Sequence, residues 1–179
     1  RLFPIMLASI ARMRSDHPTV KFVAAAASGK VARMMEGFLE KAGLPDGLVE
    51  IQTGRSKELM QTATCGVVAS GTATLEAAYY GMPYCLVYCV AWPTYLMARQ
   101  LVRLPNIGLI NILAGREVVP ELIQADANPY EVSLWLGQAL RKKEFRESMS
   151  RELLAVASRL GKPGVHQRLA HEISHLFSK

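Results

Sequence analysis

The chain has 179 residues, half of them apolar and 20% charged, with 7% aromatic. That balance fits an ordinary globular domain able to bury a sizeable core, and it excludes a disordered chain. The net charge of +6 and pI near 9.4 suit an anionic partner, but Lys and Arg are scattered without interleaved aromatics, which argues against nucleic acid.

In chain order, Leu7, Ile10, Ala11 and Met13 recur at helical spacing and predict a helix to about Asp16. The chain opens inside that pattern at Arg1-Leu2-Phe3-Pro4, without initiator Met or N-cap, so a longer parent is expected. Val20–Ala27 reads as a buried strand. Lys30–Lys41 repeats helical spacing through Val31, Met34, Met35 and Leu39 and stops at Gly43. Leu48–Gln52 is a second strand, Ser56–Ala63 a short helix and Cys65–Ala69 a third strand. Thr72–Tyr80 is the next helix, closed by Gly81, and Tyr84–Cys89 a fourth strand. A helix over Thr94–Arg103 and a fifth strand over Ile107–Ile112 follow. From Pro129 onward the pattern is helical only and rich in Lys and Arg.

Short strands alternating with helices predict an α/β fold, a Rossmann-like parallel sheet with helices on both faces. Residues 1–128 would form this domain and residues 129–179 a helical tail, partly detached from it. Leu134, Leu136, Leu140, Leu153, Leu154, Leu160 and Leu169 give the tail apolar stripes, which need cover from this domain, from another part of the parent or from a second copy. A homo-oligomer is therefore among the admitted states.

Ala77 to Ala98 carries no charge and is long enough to span a bilayer. Gly81, Pro83 and Pro93 break it into a helix end, a strand and a new helix, so it reads as core. Cys65, Cys85 and Cys89 lack disulfide-framework and zinc spacing; Cys85 and Cys89 would share a strand face roughly 13 Å apart. They read as small hydrophobes in a reducing cytoplasm.

Ligands of such folds bind beyond the carboxyl ends of the strands, where helices begin. Of the four loops that qualify, Ala69-Ser70-Gly71-Thr72-Ala73-Thr74-Leu75-Glu76 stands out. Gly71 admits close backbone approach, Ser70, Thr72 and Thr74 offer hydroxyls, and the new helix offers N–H groups to a phosphate. Glu76 is the one charged residue between Leu59 and Ala98, and burying it would demand a partner. Other chemistries fit poorly. Ser70 is flanked by Val68 and Thr72 where a nucleophile elbow needs glycines. Ser28-Gly29-Lys30 is followed by Val31, where a phosphate-binding loop needs a hydroxyl. His171-Glu172-Ile173-Ser174-His175 matches H-E-x-x-H, yet no third ligand follows it before Lys179, and a solvated helix face explains it.

The Ala69–Glu76 stretch resembles lipid-A-disaccharide synthase, a bacterial glycosyltransferase family. Asn111-Ile112-Leu113-Ala114-Gly115-Arg116-Glu117 and Val119-Pro120-Glu121-Leu122-Ile123-Gln124 resemble the second signature of that family at the right separation. Tyr88 and Pro93-Thr94-Tyr95-Leu96-Met97-Ala98-Arg99 follow its pattern between them. The resemblance implies the C-terminal half of a two-domain, B-type enzyme that holds the UDP of UDP-2,3-diacylglucosamine. The acceptor would be an acylated glucosamine 1-phosphate. Ser70, Gly71, Thr72, Ala73 and Thr74 would line the diphosphate, Glu76 the ribose hydroxyls, and Asn111, Gly115, Arg116 and Gln124 would lie near the donor. The catalytic base would belong to the N-terminal domain, so this half alone would not turn over. The implied reaction inverts the anomeric carbon and uses no metal or other cofactor. Cys89 stands where the family usually has Lys or Arg, Ile110 where it has proline, and the basic Pro-Gly-Ser-Arg loop is absent.

The competing readings are another B-type enzyme using a UDP-sugar, such as an epimerase or a peptidoglycan glycosyltransferase, and a non-catalytic nucleotide-binding domain. Trp92, Tyr95, Leu96, Leu101 and Leu104 near Arg99 and Arg103 suit a membrane surface. The expected location is the cytoplasm, peripheral to the inner face of the bacterial inner membrane.

Overall fold

The computed structural model describes residues 1–69, 71–92, 106–161, 169–170 and 173–174. Over these residues the order is α1 (Leu2–Met13), β1 (Phe22–Ala26), α2 (Gly29–Lys41), β2 (Val49–Thr53), α3 (Ser56–Thr62) and β3 (Gly66–Ala69). It continues with α4 (Ala73–Tyr79), β4 (Tyr84–Tyr88), α5 (Leu109–Ala114), β5 (Glu121–Ile123), α6 (Pro129–Arg141) and α7 (Lys143–Ala157). The helix expected over Thr94–Arg103 lies outside the described residues.

Local chemistry sets several of these boundaries. The Ser28 hydroxyl accepts the Val31 N–H at 3.4 Å and caps α2, the ordinary role of a serine before a helix. Asn128 accepts from both Tyr130 and Glu131 N–H at 3.0 Å, with Pro129 in the first turn, so α6 starts where its sequence says it should.

All strand pairings are parallel, as the alternation of strands and helices requires. The fold is the expected Rossmann-like α/β architecture, with two corrections. The strands form two hydrogen-bonded sheets, β1-β2 and β3-β4-β5, where a single sheet was expected. The expected strand over Ile107–Ile112 is instead largely helix α5, and the fifth strand comes later, at Glu121–Ile123. A short apolar run suits a buried helix as well as a strand. Here Gly115, left-handed at φ 71°, ends it as a helix, with its N–H bonded back to the Ile112 carbonyl.

Strand β4 is the centre of the larger sheet: Tyr84, Cys85, Leu86 and Val87 are all buried. Ala77 and Ala78 of α4, Ile110 of α5, Trp135 and Ala139 of α6, and Leu153 and Val156 of α7 share the same core. The expectation that residues from Pro129 onward stand partly apart is therefore corrected as far as Ala157. The buried residues of α6 and α7 find their cover against other helices, α6 along α1 and α7 against α4 and α5, within the core that the sheet shares. Leu134, Leu154, Leu160 and Leu169 nevertheless keep about half their surface in solvent. Among the described residues, no helix is long and apolar enough to cross a membrane.

Candidate functional site at the carboxyl end of the sheet

Strands β3, β4 and β5 end level, with Ala69 abreast of Val87 and Ile123 abreast of Tyr88. Their loops therefore open on one edge, where parallel α/β folds place ligands. Beyond β3 the chain turns through Gly71 at φ 137°, a backbone that L side chains rarely adopt. The turn is held from within. Both the Thr74 N–H (3.1 Å) and the Thr74 hydroxyl (2.6 Å) donate to the Gly71 carbonyl, while Leu75 and Glu76 N–H donate to the Thr72 carbonyl.

This geometry sorts the hydroxyls expected at the diphosphate. Thr72 is exposed beside Gly71, and Ala73 is half-buried behind it. Thr74 is fully buried, its hydroxyl turned to Gly71 and its carbonyl accepting the Tyr84 hydroxyl at 2.9 Å. As a ligand contact Thr74 is thus corrected: it shapes the turn from beneath. Ser70 lies outside the described residues. Glu76, in the first turn of α4, is exposed. The premise that it must be paired because it is buried falls away, and its carboxylate faces solvent on the outward side of the helix.

The second motif is a hydrogen-bonded knot. Asn111 is fully buried; its Oδ1 accepts from Val118 and Val119 N–H, and its Nδ2 donates to the Val119 carbonyl and Glu121 Oε1, all within 3.0 Å. An amide with both ends engaged in this way has nothing left for a donor molecule, so its expected place near the donor is corrected to a structural one. Glu121 was not singled out in the sequence, yet it organises the knot. Its carboxylate also accepts from Ile107 N–H at 2.8 Å and Gly108 N–H at 2.9 Å, capping α5 from the neighbouring strand. A Cβ at Gly108 would lie 2.9 Å from Leu86 Cδ1 and 3.0 Å from Glu121 Oε1, so a side chain there would have to displace both. The available signal was an acid opening a half-buried apolar run, a group that must find donors.

Gly115 is the left-handed cap of α5, and Arg116 is exposed in an ion pair of 2.7 Å with Glu152. Such a surface pair is weak and leaves the guanidinium free to exchange partners. Gln124 follows β5 directly and bonds through its side chain to Val90 in the loop after β4. Ile110 is the second residue of α5, a first-turn position where proline is also tolerated, so the departure there need not reshape the chain.

The thiols are quiet. Burial pushes the Cys65 thiol up to about 11, partly opposed by Arg146, and pushes Cys85 higher still. Protonated thiols are poor nucleophiles, so cysteine chemistry is excluded at both. An open cleft of about 440 Å³ lies elsewhere, between α1 and α6, lined by Arg12, Asp16, His17, Tyr130 and Arg141; none of the expected donor residues borders it. His171, Glu172 and His175 of the H-E-x-x-H pattern lie outside the described residues, as do Tyr95, Leu96, Arg99, Leu101, Arg103 and Leu104; of the apolar group expected at a membrane, Trp92 is described and exposed.

The sequence profile of the lipid-A-disaccharide synthetase family matches residues 1–167, which takes in both motifs and all the described strands. The chain belongs to that family. It is 36% identical to the lipid-A-disaccharide synthase of Anaeromyxobacter dehalogenans over 97% of its own length and 45% of the relative's. The corresponding enzyme of Geobacter sulfurreducens is 32% identical over the full chain and 46% of the relative, and that of Nitrosococcus oceani 35% identical over 90% and 41%. The chain thus spans somewhat under half the length of these synthases and aligns with their C-terminal half. The family profile ends at residue 167, before the H-E-x-x-H pattern.

Proposed function

We propose that this chain is the donor-binding half of a lipid-A-disaccharide synthase. The parent would transfer 2,3-diacylglucosamine from UDP to 2,3-diacylglucosamine 1-phosphate. The observation that carries this reading is the exposed Gly71–Thr72 turn opening α4, with Glu76 one helical turn on, inside a chain matched by the family from its first residue. A glycine turn feeding N–H groups to a diphosphate and a carboxylate set for a ribose are what a UDP-sugar needs.

In this reaction an acceptor hydroxyl attacks the anomeric carbon as the bond to the UDP oxygen breaks. The hydroxyl proton passes to a base in the N-terminal half, and the configuration inverts. The departing diphosphate gains negative charge, which the backbone N–H groups of the Gly71–Thr72 turn and Arg116, once freed from Glu152, stabilise without a metal ion. Both substrates carry acyl chains, which supports a peripheral location at the inner face of the inner membrane.

The test is transfer by the enzyme containing this chain, with acylated and with plain UDP-glucosamine as donors. Disaccharide and UDP formed in step from the acylated donor are expected. Equal use of the plain donor favours another UDP-sugar enzyme, and no transfer with either favours a non-catalytic domain.

A further inference from the structure

Gln124 is the one non-glycine residue with a left-handed backbone among those described, at φ 52°. A side chain with a Cβ pays for that conformation in strain, and such positions persist where surrounding contacts over-determine them. Here the contacts are visible. The Gln124 N–H donates to the Tyr88 carbonyl at 2.9 Å, continuing the β5 ladder by one bond beyond the strand. The Val90 N–H donates to Gln124 Oε1 at 2.8 Å, and Gln124 Nε2 donates back to the Val90 carbonyl at 3.2 Å. The Cys89 thiol donates to the Gln124 carbonyl at 3.7 Å.

In a parallel ladder the N–H and C=O of one residue pair with two residues of the neighbouring strand; here the single Gln124 amide meets both groups of Val90. The left-handed turn ends β5, and the side chain carries on the pairing in its place. Because β3, β4 and β5 end level, the Gly71 turn and the Gln124 clamp flank the β4 loop, roughly 10 Å apart across two strand spacings. The Cys89–Trp92 loop between them ends in an exposed tryptophan.

We propose that Gln124 is a positioning residue of the donor site: its amide clamps Val90 and so sets the Cys89–Trp92 loop as a wall beside the Gly71–Thr72 turn, without itself contacting the donor. The proposal rests on the donor-site reading above. It differs from a direct role for Gln124 in where the energy resides, in the Gln124–Val90 pair rather than in a bond to the ligand.

A double-variant cycle on the full chain separates the two. Gln124→Gly removes the clamp and suits the left-handed backbone. Val90→Pro removes the N–H that the clamp holds and leaves Gln124 Oε1 free to meet a ligand, while the Val90 carbonyl remains. Gln124→Glu keeps the acceptor half and sets a second oxygen, in place of the donor, against the Val90 carbonyl. UDP is titrated into each, and exchange of the Val90 amide proton is followed in wild type, Gln124→Gly and Gln124→Glu. The clamp predicts that each of Gln124→Gly and Val90→Pro weakens UDP binding roughly tenfold and that the double variant is no weaker than either. It also predicts faster Val90 exchange in Gln124→Gly, a smaller increase in Gln124→Glu, and unchanged global melting. Loss of UDP binding in Gln124→Gly with wild-type binding in Val90→Pro, or unchanged Val90 exchange, overturns it. If wild type binds no UDP, the donor-site reading falls, and the exchange result alone decides the clamp.

Discussion

The Tyr84 hydroxyl, at the start of the central strand β4, donates to the carbonyl of Thr74 in the first turn of α4 at 2.9 Å. Thr74 in turn donates its own hydroxyl to the carbonyl of Gly71, so a buried relay runs from the sheet to the turn proposed to hold the diphosphate. Burial raises the Tyr84 phenol well above its ordinary value, which keeps it a donor across the working pH range. Tyr84→Phe should remove one buried hydrogen bond and lower stability by roughly 1–2 kcal/mol. UDP affinity should fall as well, because the turn loses its support. Denaturant melts and a UDP titration on one preparation check both effects; lost stability with unaltered affinity would uncouple the relay from the site.

Gly71→Ala tests the turn's backbone. A Cβ there meets nothing within 4 Å, so any cost comes from the φ of 137° alone. A loss of about 1–3 kcal/mol in stability, or a turn that relaxes away and loses UDP, is expected. A melt and a UDP affinity both at wild-type values would show that the turn does not need that conformation.

Asn111→Leu fills the same space without the amide. It leaves the Val118 and Val119 N–H groups and the Val119 carbonyl unpaired in the core, and should cost roughly 2–4 kcal/mol. If the knot is structural, the folded fraction of the variant still binds UDP with near-normal affinity. A stable protein that has lost UDP binding would return Asn111 to the donor site.

The Cys65 thiol gives a pH signature. Its folded value of about 11 lies above the ordinary 9.0, so the folded state holds the proton more tightly than the unfolded one. That contribution to stability is full below about pH 9 and is lost as the pH rises toward 11. Cys65→Ser should remove this part of the alkaline decline in melts between pH 8.5 and 11. A decline identical to wild type would show that the thiol does not titrate as its burial dictates.

The α/β alternation was legible because the strands are brief apolar runs bounded by glycine or proline, as at Gly66–Ala69 and Tyr84–Tyr88, and the helices repeat apolar residues at helical spacing, as over Gly29–Lys41. Ile107–Ile112 misled because its apolar run suits either period, and the Glu121 carboxylate that favours the helix comes from outside it. Motif resemblance located the second signature but assigned Asn111 to the ligand, since an amide satisfied by four internal bonds is indistinguishable in sequence from one awaiting a substrate. Thr74 failed in the same way: its spacing matched Thr72, but the turn at Gly71 sends one hydroxyl out and the other inward. Glu76 was rightly noticed for its isolation, though the isolation reflects an apolar neighbourhood in the chain and not burial in space.

The most direct measurement of the central claim is UDP binding by wild type and Glu76→Gln, read by calorimetry beside thermal melts. Gln keeps the size and one acceptor but removes the charge that strengthens hydrogen bonds from ribose hydroxyls. The account predicts UDP affinity lowered roughly tenfold or more in the variant, with the melt nearly unchanged, because Glu76 is exposed in the free chain. Unchanged UDP affinity with a lowered melting temperature would contradict it, leaving Glu76 as a first-turn acid that serves only its helix.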